Sequence, residues 1–231
     1  MNSSPVITVD GPSGSGKGTI CVQLAKELGF HLLDSGALYR LTALAVEQSG
    51  LDLNKDGAVL ANESAIAEIA LNLDTCFETD ENDEVHVFLN KNEVTDAIRT
   101  ETCGNQASKV AAIPAVRAAL LERQRAFQKN PGLIADGRDM GTVVFPAATA
   151  KIFLTASASE RAERRYKQLK EKGLSVTLAH LSREIEERDA RDASRSVSPL
   201  VPADDAEILD TTGMTIDQVV DRALALVKRH L

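Results

Sequence analysis

The sequence predicts an α/β protein in which a parallel central sheet is wrapped by helices and carries an antiparallel insert. Strand-like and helical runs alternate along most of the 231 residues, as in a parallel sheet whose crossovers are helices. The first pair, "VITVDGPSGSGKGTICVQLAKELG" (6–29), passes from a β-branched run through four glycines into a helix. Between about 70 and 97 the texture changes to alternating apolar and polar residues, the pattern of a half-buried antiparallel hairpin.

Taken in order, Val6–Val9 reads as a strand buried on both faces. From Thr19 the apolar positions Ile20, Leu24 and Leu28 recur at helical spacing, and Gly29 supplies the stop. "FHLLD" (30–34) is a short strand and "SGALYRLTALAVEQSG" (35–50) a helix, with Ser35 as its N-cap. "LNLDTCF" and "EVHVFLN" form the hairpin, joined by the turn-like "TDENDE" (79–84). "AVRAALLERQRAFQKNPG" (115–132) is a helix ended by Pro131 and Gly132. "GLIADGRD" (132–139), "AKIFLTA" (150–156) and "AEILD" (206–210) are further strands. The last helix opens on the capping-box pattern "TIDQ" (215–218), with Ile216, Val219, Val220, Ala223, Leu224 and Val227 on one face. No internal repeat or low-complexity linker interrupts this order, so residues 1–231 read as one domain, a compact core with inserted pieces.

The glycine-rich turn has its own chemistry. Gly11, Gly14, Gly16 and Gly18 permit backbone conformations closed to residues with a Cβ. A turn feeding a helix N-terminus aims N–H groups at one point, where the helix dipole favours negative charge, and Lys17 adds a point charge there. Gly11-x-x-x-x-Gly16-Lys17 fits the P-loop of nucleoside triphosphate-binding proteins. Gly18 stands where Ser or Thr usually holds magnesium, and Thr19 follows.

Other candidates lie at strand ends and on helix faces. "IADGRDMG" places Asp136, Arg138 and Asp139 beyond a buried strand, and the carboxyl ends of such strands line ligand crevices. "DSGALYR" sets Tyr39 and Arg40 one turn beyond Ser35. Seven of the fifteen arginines fall between Arg161 and Arg195. "SASERAERRYKQLKEKG" opens with the capping box Ser157-x-x-Glu160 and sets Arg161, Arg164 and Arg165 at i, i+3 and i+4. "REIEERDARDASR" sets Arg188, Asp192 and Arg195 at i, i+4 and i+7. Around a turn at "KEKGLS", two such helices form a hairpin able to close a cationic face over phosphates, which phosphoryl transfer requires. "DTTG" (210–213) and "NKNE" (90–93) faintly resemble GTPase motifs, but their chain order is wrong and the second ends in Glu.

Composition excludes several classes. A net charge of −8 and the absence of tryptophan argue against nucleic acid as a partner. No apolar run approaches the length needed to span a bilayer, and no secretory signal precedes Val6. Cys21, Cys76 and Cys103 read as reduced thiols of a cytoplasmic protein, and four scattered histidines point to no metal site. No apolar surface helix demands a partner, which favours a monomer. The residues by themselves still leave open a P-loop kinase acting on UMP, AMP or a non-nucleotide such as shikimate, and a nucleotide-dependent switch that hydrolyses slowly.

With "GPSGSGKGT", "LLDSGALYR", "IADGRDMGTVVFP" and "ERDARDASRSVSPL", the chain resembles the bacterial cytidylate kinases, a family of nucleoside monophosphate kinases, over nearly its full length. The resemblance implies a P-loop kinase three-layer fold with an antiparallel-strand, monophosphate-binding insert at about 60–100 and a helical lid at about 157–195. It implies ATP as donor, held by Lys17 and the loop Gly11, Pro12, Ser13, Gly14, Ser15, Gly16, Gly18 and Thr19, with Mg²⁺ carried mainly by phosphates and water. Ser35, Arg40, Arg138 and Arg188 would surround the CMP phosphate, and Tyr39 would also belong to the CMP site. Ser108, Arg117 and Asp139 would read the cytosine, and Asp192 the pentose hydroxyls. Arg164, Arg165 and Arg195 are the candidates for the transferring phosphoryl group. A carboxylate suits the exocyclic amine of cytosine and an arginine fork its ring acceptors.

Overall fold

A computed structural model describes residues 4–51, 53, 61–80, 85–171, 173 and 175–231. The chain forms two compact units, one built from residues 1–34 and 124–231, the other from 35–123. Residues 81–84 of the expected hairpin turn, and 172 and 174 of the expected turn at "KEKGLS", lie outside the described residues.

The first unit is a five-stranded parallel sheet with the order β2-β6-β1-β7-β8. Its strands are β1 (Val6–Asp10), β2 (His31–Asp34), β6 (Leu133–Gly137), β7 (Ala150–Thr155) and β8 (Glu207–Asp210). β1 is buried throughout its length, as its β-branched run predicts. It pairs with β6 in the register Asp10↔Gly137 and with β7 in the register Asp10↔Phe153. Because the strands are parallel, Asp10, Asp34, Gly137, Thr155 and Asp210 all finish at the same edge.

Helices α1 (Lys17–Leu28) and α8 (Ile216–Lys228) belong to this unit. Ile20, Leu24, Val219, Ala223 and Val227 pack with Ile7, Val9, Ile152 and Leu154 into one apolar core. The capping box predicted at Thr215 is present, with Gln218 returning the bond. Ile216 is exposed, so the apolar face of α8 is narrower than its sequence suggests.

α1 starts at Lys17, two residues before the predicted Thr19. Gly16, at φ 91°, occupies its N-cap, and the bond from the Ile20 amide to the Gly16 carbonyl at 3.2 Å closes the first turn. Gly11 has φ 149°, and a Cβ there would lie 2.0 Å from the Leu154 carbonyl oxygen. Only glycine fits that turn. α6 (Ala158–Glu171) and α7 (Leu178–Ala193) form the arginine-rich pair. No helix among the described residues is long and apolar enough to cross a membrane.

The second unit contains α2 (Ser35–Gln48), α3 (Glu63–Leu71), α4 (Glu101–Val110) and the antiparallel sheet β3-β4-β5. Its core includes Leu38, Leu41, Ile66, Val87, Leu89 and Val110. β3 (Thr75–Thr79) and β4 (Val85–Leu89) pair as the alternation predicts, Phe77 opposite Val87. A third strand, β5 (Asn92–Glu93), extends the sheet. Asn90 and Lys91 have φ 50° and 64°, the geometry of a two-residue hairpin turn. The "NKNE" stretch is therefore a turn and strand of the insert.

α5 spans Pro114–Arg125, stopping well before the predicted end at Pro131. Two i→i−3 bonds, Phe127 to Gln124 and Gln128 to Arg125, tighten the chain into a turn. Arg125 then anchors to the Val144 carbonyl and Gln128 to that of Ser4. Local tertiary anchors, invisible to helical spacing, stop the helix early.

Candidate active site

Lys17 is only 5% exposed although its side chain is charged. Its Nζ donates to the Pro12 carbonyl at 2.8 Å and to Ser15 Oγ at 3.3 Å, while Ser15 Oγ donates to the same carbonyl at 3.0 Å. The loop thus wraps its own lysine. Burial pushes the amine well below the usual lysine range, and Arg138 and Arg188 push it further, against the opposing pull of Asp136. Both guanidinium charges are felt at the buried amine. Such repulsion favours a ligand with several negative charges, because it is relieved when that ligand binds.

Carboxylates hold the other side. Burial raises Asp136, with Asp34 adding to the rise and Lys17 opposing it. A Cβ on Gly18 would lie 3.7 Å from Asp136 Oδ2. At the position where a P-loop usually offers a hydroxyl, this chain brings a carboxylate near instead. Hard oxygen donors of this kind suit Mg²⁺ retaining much of its water shell. Among the described residues no three His, Cys, Asp or Glu side chains form a metal-binding group.

Asp10, at the end of β1, accepts the backbone amides of Met140 and Gly141, each at 2.8 Å. It thereby clamps the turn Met140–Val144 that follows Arg138 and Asp139. Burial raises Asp10 to about 6; the two amides oppose the rise and the Asp139 charge adds to it. Its contribution therefore favours the fold below the unfolded value of about 3.8 and is lost as pH rises through about 6. Asp10→Asn should remove that slope. Relative to the variant, the nucleotide-free parent should gain on the order of 3 kcal/mol as pH falls from 7 toward 4, read from urea midpoints across that range.

On α7 and just beyond it, Asp192 is 1% exposed. One of its oxygens accepts Arg138 Nε at 3.3 Å and the other accepts Arg195 Nη2. Arg195 lies past the last helical residue, Ala193, and still reaches back to Asp192. Both oxygens of the residue expected at the pentose thus receive arginines here. Arg164 bonds Glu160 on its own helix, the Ser15 carbonyl at 3.4 Å and both oxygens of Thr211. It braces the loop to the end of β8. Arg165 donates to Gln168 on its own helix.

In the second unit, Ser35 is the first residue of α2, following directly on Asp34, and is buried. Arg40 donates through Nη1 to the carbonyls of Ile98 at 2.6 Å and Thr100 at 3.1 Å. A Cβ on Gly104 would lie 2.8 Å from Arg40 Nη2, so this guanidinium lies directly on the backbone of α4. Arg117 is 8% exposed, donates to the Ala111 carbonyl at 3.2 Å and stands 5.4 Å from the Tyr39 ring centroid. That distance is within cation–π range. Ser108 is buried on α4.

The first unit therefore gathers Lys17, Arg138, Arg188, Asp192 and Arg195, and the second pairs Tyr39 with Arg117. Asp10 and Thr211 went unread in the sequence. Asp10 could have been found as an acid closing a buried strand before a glycine. Thr211 lies in the "DTTG" stretch, whose place after β8 matters although its likeness to a guanine motif does not.

Three relatives named cytidylate kinase align along almost the whole chain. The Vibrio parahaemolyticus protein is 56% identical over 230 residues, covering 100% of this chain and 98% of its own. That of Shewanella frigidimarina is 57% identical, covering 99% and 97%, and that of Aeromonas salmonicida 55%, covering 99% and 96%. Residues 7–229 match the family described as cytidylate kinase, and the chain belongs to that family.

Proposed function

We propose that the protein transfers the γ-phosphoryl group of MgATP to the phosphate of CMP or dCMP, giving CDP or dCDP for pyrimidine nucleotide metabolism. The observation that carries this reading is a buried Lys17 held within the phosphate loop by the Pro12 carbonyl and Ser15 hydroxyl, in a member of the cytidylate kinase family. Lys17 and the amides from Gly11 to Thr19 hold the donor. Mg²⁺ would be held mainly by the ATP phosphates and water, with Asp136 the candidate carboxylate, and would supply charge neutralisation on the phosphate oxygens.

The acceptor is assigned to Ser35, Tyr39, Arg40, Ser108, Arg117, Arg138, Asp139, Arg188 and Asp192, as the family resemblance implies. An acceptor phosphate oxygen is already nucleophilic, so transfer is direct and in line and needs no general base. The side chains position the two nucleotides and spread the developing charge. α6 and α7, with Arg164, Arg165 and Arg195, act as the lid that excludes water. The protein works as a cytoplasmic monomer on small nucleotides, with neither nucleic acid nor membrane as partner; its net charge of −8 supports the last two points.

Incubation with ATP and CMP should yield CDP, with UMP and AMP turned over far more slowly. Failure to form CDP refutes the reading, and a phosphorylated enzyme trapped before steady state refutes direct transfer.

A further inference from the structure

Arg161 is a buried guanidinium of the α6–α7 pair whose bonds run to a backbone carbonyl before α6, to a backbone carbonyl of the phosphate loop and to Asp189, not to a side chain assigned above to nucleotide. It is 5% exposed. Its Nε donates to the Ala156 carbonyl at 3.1 Å, just before α6 begins. Its Nη1 donates to the Ser13 carbonyl at 2.9 Å, within the phosphate loop. Nη1 and Nη2 together grip both oxygens of Asp189 on α7, at 3.1 and 2.5 Å. Gly14 presses on the same residue, since a Cβ there would lie 3.2 Å from Arg161 Cβ. The phosphate loop, the root of α6 and the middle of α7 thus meet at one side chain.

The placement of Asp189 gives this meeting its consequence. It adjoins Arg188 and precedes Asp192 by three residues, and within a helix such neighbours move as one rigid turn. Arg188 adds to the field that depresses Lys17, and Asp192 holds Arg138 and Arg195. A two-point fork between guanidinium and carboxylate fixes direction as well as distance, which the single ammonium of a lysine cannot do.

We propose that Arg161 and Asp189 form a positioning pair: they hold the charged turn of α7 against the phosphate loop, setting where Arg188 and Asp192 stand relative to Lys17. This role rests on the phosphoryl-transfer reading, but its geometric part is measurable without turnover.

The test uses the full chain with Asp189→Asn, Arg161→Lys and the double variant. Asp189→Asn leaves the bond to the Ser13 carbonyl in place, so ATP affinity by equilibrium titration should stay within about threefold of the parent. Its kcat should fall by about ten- to a hundredfold. Hydrogen exchange of the α7 amides around residues 186–193 should speed up in nucleotide-free protein. Arg161→Lys keeps the charge but loses the fork, and should lower kcat at least as much. The double variant should be no slower than the slower single one, as expected of residues acting together.

A parent-like kcat in Asp189→Asn, or full rescue by lysine at 161, overturns the proposal. So does a variant whose ATP affinity, melting temperature and kcat decline together, because that pattern marks a purely structural pin. If the parent forms no CDP, the exchange measurement still decides whether the pair tethers α7; unchanged protection there overturns the pair by itself.

Discussion

Lys17→Met is expected to lower kcat for CMP phosphorylation by about a thousandfold while leaving the nucleotide-free fold at least as stable as the parent. The two effects have one cause. Burial and the neighbouring Arg138 and Arg188 disfavour the charged amine, so in the absence of nucleotide the charge at position 17 opposes folding. A lysine whose folded pKa lies below its unfolded value makes the protein more stable as pH rises between the two, since only the unfolded chain still binds the proton there. The parent should therefore gain stability from neutral toward alkaline pH, and Lys17→Met should show a flatter profile. Methionine fills the space of the aliphatic stem without a charge. Once phosphates are present the sign reverses, because the amine then faces the negative charge that builds in transfer. Stopped-flow or coupled assays give the rate, and urea titrations at several pH values give the stability. A variant with near-parent kcat, or one clearly less stable than the parent at neutral pH, contradicts the account.

The same tension explains which features could be read in the sequence. The phosphate loop was legible because its glycines answer local demands: Gly11 must avoid the Leu154 carbonyl and Gly16 must cap α1 at positive φ. The parallel sheet was legible because strands buried on both faces leave β-branched runs such as Val6–Val9. The alternation around Phe77 and Val87 announced the antiparallel hairpin for the converse reason. What could not be read depends on contacts distant along the chain. Its place between a buried strand and a glycine singles out Asp10, but nothing local shows that it clamps Met140 and Gly141, 130 and 131 residues away. Arg161, Arg164 and Arg165 look alike as a helical stripe, yet one grips α7 and the phosphate loop, one braces Thr211, and one bonds its own helix. Spacing gives the face of a helix; what that face meets is decided by tertiary structure. The early end of α5 at Arg125 belongs with these cases.

Asp139→Ala is expected to reduce the ratio of kcat/KM for CMP over that for UMP by at least about a hundredfold, chiefly through loss with CMP. Asp139 is 2% exposed and stands at the start of the turn that Asp10 clamps. Its own carbonyl accepts the amides of Val143 at 2.9 Å and Val144 at 3.2 Å. The backbone of the turn is thus held by bonds of its own, and truncating the side chain removes a hydrogen-bond acceptor. On the proposed assignment that acceptor meets the exocyclic amine of cytosine. Uracil offers a carbonyl at the same place, so with the parent two acceptors face one another in a site without water to separate them, and the mismatch is costly. Alanine removes both the reward and the penalty. Asparagine is the sharper probe, because turning its amide presents a donor to uracil; Asp139→Asn should raise UMP turnover above that of the parent as well as lowering CMP turnover. Both ratios come from an ADP-release assay with the two acceptors in parallel. An unchanged CMP/UMP ratio in Asp139→Ala would place base recognition elsewhere, with Arg117 on its Tyr39 platform the next residue to test.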